Sequence, residues 1–301
     1  MQPVMVYIVS DGKPGHLSQS RGLAQAIGRR IPTRTMVIDA EGKREAPQPP
    51  RDGGVILAAG RITHSLALSL RKYLGLPAVC LMNPGWIDRQ RFDLCIIPRH
   101  DGIHASNTVV VTEGSLNGIV AATNSSLGDG LILVGGPSKH HGWDSGLMIE
   151  QIESLLHDVE VLWTVTDSRR TPQATSSGLS KLADESAGRL KYTPATETPE
   201  GWVAEQLQRC GICWVSEDSV SMVYEALTAG AGVGLLLVPK LGGRAGRVVR
   251  GIESLVEKGW VVTHDAWRQG KALPVDRPDL AEADRVASII IERWLSATED
   301  A

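Results

Sequence analysis

The stretch SEDSVSMVYEALTAGAGVGLLL, residues 216–237, decides how this chain is read. Before it stands the apolar run ICWV (212–215), and it closes on GLLL, so one helical pattern lies between two buried strands. Val220, Val223, Tyr224 and Leu227 recur at helical spacing and form the stripe a sheet would cover. Small polar residues open the helix, and Glu225 stands on another face, sharing it with Ser221 four residues earlier. A helix start near Ser219 offers backbone N–H groups of Ser219, Val220 and Ser221 to an anion, with two hydroxyls beside them. Glu225 then lies roughly 9 Å along the axis at 1.5 Å per residue, about the span from a diphosphate to a ribose. The competing reading is an amphipathic helix with one exposed glutamate.

Outward from this segment the same alternation fills the chain. Short apolar runs (4–10, 54–60, 77–82, 92–98, 107–112, 131–136, 159–166) alternate with helical patterns (16–30, 62–75, 145–158, 245–259). Near-continuous apolar strands are those buried on both faces of a parallel sheet, and the alternation predicts α/β crossover units. The pattern pauses at ATNSSLGDG (122–130), which reads as a linker. The predicted organisation is therefore two Rossmann-like domains facing one another across a cleft, residues 1–126 and 127–277. An amphipathic closing helix (278–298) carries Val286, Ile290 and Trp294 on one stripe. The GAGVG at 230–234 follows a helix and precedes a strand, the wrong order for a dinucleotide fingerprint, and reads as a helix cap and turn.

Composition narrows the function classes. With 301 residues, 42% hydrophobic and 22% charged, the chain is an ordinary globular one. A formal charge of -3 argues against a nucleic-acid partner. The N-terminus MQPVMVYIVSDG lacks a basic leader, and no window reaches about 18 apolar residues, so the expected location is cytoplasmic. Cys210 and Cys213 form a CxxC that closes a helix and enters a strand. That is the reverse of a redox motif, and they read, with Cys80 and Cys95, as buried thiols. The NSS at Asn124 matches a sequon without consequence in such a chain.

Ligands of parallel sheets bind beyond the carboxyl ends of strands, so the loops there hold the candidates. After the first strand come Asp11, Gly12, Lys13, Pro14, Gly15 and His16, either a solvent-facing turn or a grip on a polar substrate with His16 or Asp11 as base. Arg61, Asn83, His100 and Asp101 follow later strands of the first half. In the second half Gly135, Gly136, Ser138 and Lys139 follow one strand, and Arg169 and Arg170 the next, where guanidinium forks suit a diphosphate. His140 and His141 are adjacent with no carboxylate motif, so no metal site is expected.

Several of these motifs together resemble the mitochondrial-fission ELM-type family of glycosyltransferases. They are Asp11 to His16, Gly60–Arg61, Pro98 to Asp101, Thr112 to Asn117, Val134 to Ser138, Ser168 to Thr171 and Ser216 to Ala226, in that order. The resemblance implies a GT-B fold whose C-terminal domain binds a nucleoside-diphosphate sugar and whose last helix crosses back to the first domain. It implies a diphosphate at Ser219 and Ser221 and a ribose at Glu225. The expected donor set is Gly136, Ser138, Arg169, Arg170, Ser216, Asp218, Ser219, Val220, Ser221 and Glu225. Lys13, Gly15, Arg61, Asn83, His100 and Asp101 are expected to meet a glycan or lipid-linked acceptor. One departure is that Gly230-Ala231-Gly232 stands where such donor helices commonly end in G-x-P. The expectation is a metal-independent glycosyltransferase without cofactor, with peripheral membrane contact through Lys240, Arg244, Arg247 and Arg250 as one possibility. A sugar-nucleotide epimerase and a non-catalytic scaffold are the alternatives.

Overall fold

A computed structural model describes residues 3–42, 47–50, 53–123, 126–241, 247–274 and 279–296. Asn124, Arg244 and the outer ends of the expected closing helix lie outside them. The chain divides into two units, Met1–Gly118 with Ala281–Ala301, and Ile119–Leu280.

In the first unit β1 (Val4–Ser10), β2 (Thr33–Asp39), β3 (Gly54–Ala59), β4 (Ala78–Leu81), β5 (Leu94–Pro98) and β6 (Val109–Thr112) form a parallel sheet. Among the described residues its order is β2-β1-β3-β4-β5-β6. The inner strands β3, β4 and β5 are buried at every position, which is why they read as unbroken apolar runs. One face is covered by α1 (Pro14–Gly28) and α10 (Glu282–Ile290), through Leu23, Ile27, Val286 and Ile290. The other is covered by α2 (Thr63–Leu74), through Ala67, Leu70 and Leu74. A short helix α3 (Trp86–Arg89) follows β4. The strand order reverses between β1 and β3, so the loops after those two strands stand at a switch point.

The second unit repeats the plan with β7 (Ser126–Leu133), β8 (Leu162–Thr166), β9 (Leu190–Thr193), β10 (Cys210–Ser216), β11 (Gly232–Leu236) and β12 (Val262–Thr263). These strands pair in parallel in the order β12-β11-β10-β7-β8-β9, and the reversal falls between β7 and β10. On one face lie α7 (Val220–Ala229) and α8 (Arg247–Glu257), with Val223, Tyr224, Leu227, Ile252 and Leu255 in the core. On the other lie α4 (Ser145–Asp158), α5 (Gln173–Glu185) and α9 (His264–Arg268). A short α6 (Trp202–Leu207) precedes β10.

Two readings are corrected here. The passage between units falls at Gly118–Ile119, and residues 126–130, read as linker, are the first five residues of β7. Gly130 lies opposite Trp163 in register, and a Cβ there would collide with the indole. Gly234 makes the same room for Trp214. Both tryptophans are buried, so the glycines that suggested a turn are strand residues that yield volume to a neighbour. In GAGVG only Gly230 is the helix cap, at φ +96°, and Gly232 and Gly234 belong to β11. All four cysteines are buried and free.

Candidate functional site

At the switch point of the first unit, β1 ends on Ser10 and α1 begins on Pro14, two residues before His16. Proline at the first helical turn costs no hydrogen bond and fixes the entry angle. Gly15 and His16 therefore lie inside the helix rather than before it. His16 Nδ1 stands 3.0 Å from both oxygens of Asp11, whose side chain is fully buried, while the imidazole keeps partial exposure. Burial pushes the Asp11 carboxyl up. Hydrogen bonds from the Lys13 side chain and backbone and from His16 outweigh it and hold the group below the usual carboxylate range. A carboxylate at Nδ1 fixes the tautomer that carries its proton there, which leaves Nε2 as an acceptor. Gly60, following β3, has φ +92°, and a Cβ on it would strike the His16 ring and Asp11. The dyad therefore depends on a glycine from the neighbouring strand.

The other first-unit candidates surround loops after β3, β4 and β5. Arg61 is exposed. Asn83 accepts the Gly85 N–H at 3.0 Å and shapes the turn into α3, where Trp86 and Ile87 are each 69% exposed. His100 and Asp101 share a single 3-10 turn and are half-buried.

The second-unit loops are tied to one another. Asp218 receives Arg170 Nη2 at 2.8 Å and the Gly136 N–H at 3.1 Å on one oxygen, and the Ser216 hydroxyl at 2.7 Å on the other. Ser216 in turn accepts the Gly135 N–H at 2.7 Å. Arg170 also donates to the carbonyls of Gly136 and Pro137, and Thr171 donates to that of Gly135. Gly136, Arg170, Ser216 and Asp218, expected in the donor site, clamp the loops after β7, β8 and β10 together. Ser138 accepts the N–H groups of His140 and His141, so its hydroxyl also serves its own turn.

What remains open is the start of α7. Ser219 is the N-cap residue, and its own N–H is used by the Ser216 carbonyl. No side chain caps the helix, so the N–H groups of the first turn lack a side-chain acceptor. Ser219 is buried, Val220 half-buried and Ser221 exposed. Glu225 is half-buried, and no hydrogen bond or cation reaches its carboxylate among the described residues. Burial pushes its pKa up to about 7.

Two cavities open at the carboxyl edge of this sheet. One, of about 500 Å³ beyond β8 and β9, is lined by hydroxyls of Ser176, Ser177, Ser180 and Tyr192, with exposed Arg169 at its wall. Asp167 holds the Tyr192 hydroxyl at 2.6 Å, and burial, with that hydrogen bond, pushes the tyrosine up to about 12. The other, of about 530 Å³ beyond β10, β11 and β12, is lined by Glu217, Val238, Lys240 and residues of α8. The residue types at 217 gave no signal in the sequence beyond an acidic run. A third cavity, of about 410 Å³, opens at the opposite, amino edge around Trp163 and Arg209.

Of the basic group expected near a membrane, Lys240 pairs with Glu253 at 3.8 Å, Arg250 is exposed, and the side chains of Arg244 and Arg247 lie outside what is described. No described helix is long and apolar enough to cross a membrane.

Solved structures are similar to this chain over nearly its whole length. A UDP-glucosyltransferase from Polygonum tinctorium is 12% identical, with 99% of this chain and 96% of that one covered and a TM-score of 0.53. CalG4, the calicheamicin glycosyltransferase, is 11% identical over 97% and 95%, with a TM-score of 0.50. A UDP-GlcNAc 2-epimerase from Neisseria meningitidis is 10% identical over 97% and 99%, with a TM-score of 0.49. The two glycosyltransferases are GT-B-fold proteins, and the likeness establishes that fold for this chain. No curated protein matches the sequence. A family model does, over residues 14–294, and the chain belongs to the mitochondrial fission ELM1 family.

Proposed function

We propose that this protein is a glycosyltransferase that takes its sugar from a nucleoside-diphosphate donor. The observation that carries the reading is the uncapped start of α7 at the strand-order reversal, with the unpartnered Glu225 carboxylate farther along the same helix. The first-turn N–H groups, with Ser219 and Ser221 beside them, suit a diphosphate, and Arg169 adds a free guanidinium. Glu225 can accept from the two hydroxyls of a ribose. The clamp of Arg170, Asp218 and Ser216 fixes these donors in place before any ligand arrives, so negative charge on a departing diphosphate meets groups that need no rearrangement. His16, oriented by Asp11, takes the proton of the acceptor hydroxyl on Nε2. Exposed Trp86 and Ile87 beside Asn83 favour a lipid-linked acceptor of the cell envelope over a free sugar. The reading needs no metal and no resident cofactor.

The test is binding of UDP, GDP, ADP and CMP compounds by thermal shift and calorimetry. A nucleotide at 100 times its Kd should add about 2.7 kcal/mol of stability. Glu225→Ala should weaken that nucleotide, and unchanged affinity would remove the ribose role. An epimerase would instead interconvert the sugar with no acceptor present. A scaffold would gain no stability from any of the four.

A further inference from the structure

The cavity beyond β10, β11 and β12 has no part in the reading above, yet it begins two residues before the N-cap of α7. Glu217 and Asp218 leave the end of β10 in opposite directions. Asp218 turns toward β7 and β8 and is consumed by Arg170, Gly136 and Ser216. Glu217 turns toward β11, where its N–H bonds the Leu236 carbonyl at 3.0 Å and its Oε1 accepts the Val238 N–H at 3.3 Å. The residue is 4% exposed, and its second oxygen has no hydrogen-bond partner among the described residues. That oxygen belongs to a side chain lining the 530 Å³ cavity, whose other walls include Leu237, Val238, Ile252 and Val256. Lys240 lines the same cavity, with its ammonium group 3.8 Å from Glu253.

We infer that this cavity receives the sugar of the donor, with Glu217 bonding its hydroxyls and the aliphatic walls covering its C–H face. The inference rests on the nucleotide-donor reading. A sugar ring is polar around its rim and apolar on its faces, and this cavity sets the buried Glu217 carboxyl and aliphatic walls beside the charged side chains of Lys240, Glu253 and Glu257. Burial raises the Glu217 carboxyl above its ordinary value, although the Val238 N–H and the Lys240 ammonium that lines the same cavity draw it down, so an arriving hydroxyl meets a carboxyl whose burial is only partly compensated. The spacing agrees. Glu217, with one oxygen committed to Val238, precedes the α7 start and the unpartnered Glu225 follows it, so two carboxyls stand before and after an anion-seeking helix end in the chain. A ligand with hydroxyls at both ends and a diphosphate between them matches that order.

The experiment compares UDP with UDP-glucose, and GDP with GDP-mannose, by calorimetry on the full chain. It uses wild type, Glu217→Gln and the cavity-filling Val256→Phe. Both variants should hold the free diphosphate within about twofold of wild type, which also reports that they fold, and lose about tenfold or more on the sugar nucleotide. Variants that change both ligands in step, or neither, overturn the sugar assignment and leave the nucleotide reading standing. A wild type that binds none of these four ligands and none of the ADP and CMP compounds overturns both.

Discussion

Gly60 shows how much chemistry one missing side chain supports. The His16–Asp11 pair sits in the space a Cβ at this position would fill, and the residue holds φ +92°, which L side chains rarely adopt. Gly60→Ala should therefore displace the imidazole and reduce transfer by the ~10²–10⁴-fold a general base contributes. Nucleotide affinity should stay unchanged, so a matched fall in both would place the fault in folding rather than in the dyad. Glu225 gives a second prediction at this scale. Its folded pKa, about 7, lies above the ordinary value of 4.5, so the folded state binds the proton more tightly. Its contribution to stability is full below about 4.5 and is lost as pH rises through about 7. Urea unfolding across that window should show Glu225→Gln with a flatter profile than wild type and greater stability at the upper end. Glu217 is raised in the same direction, so a residual slope should persist in that variant.

Among elements, the loops after β7, β8 and β10 are held by a buried acid rather than by packing. Asp218→Ala would strand the Gly136 N–H, the Ser216 hydroxyl and one fork of Arg170. It should cost about 1–3 kcal/mol in denaturant unfolding for a buried donor left unsatisfied. Arg170→Ala should cost less, because that side chain is 45% exposed and water can replace it. Here the limits of the sequence are visible. Strands β3, β4 and β5 were legible because burial on both faces demands unbroken apolar runs, and α4 was found at 145–158, where it is. The start of β7 was not, because Gly130 belongs to a strand only by virtue of Trp163, more than thirty positions away. In the same way the mutual hydrogen bonds of Ser216, Asp218 and Arg170 come from the fold and not from their spacing in the chain. The open helix start and Glu225 were legible, since both follow from spacing along one helix. Glu217 was not, since its meaning comes from β11 and α8.

At the level of the whole molecule, the first unit is assembled from both ends of the described chain. Val286, Ala287 and Ile290 of α10 are fully buried in the core that α1 shares. Arg29 pairs with Asp284 through two hydrogen bonds, and Arg285 donates to the Val111 carbonyl at 2.7 Å. Ile290→Ala should destabilise this unit by about 2–5 kcal/mol. Two unfolding transitions in calorimetry would show it best, the one belonging to the first unit shifting alone.

That arrangement has a consequence for biosynthesis. A ribosome delivers the strands of the first sheet before the second unit and the helix that finishes one of its faces only after it. In between it makes the whole of the second unit. The second unit can thus mature while the first still shows part of an apolar face to chaperones, and a nascent chain released short of residue 282 would leave that face covered by α1 alone.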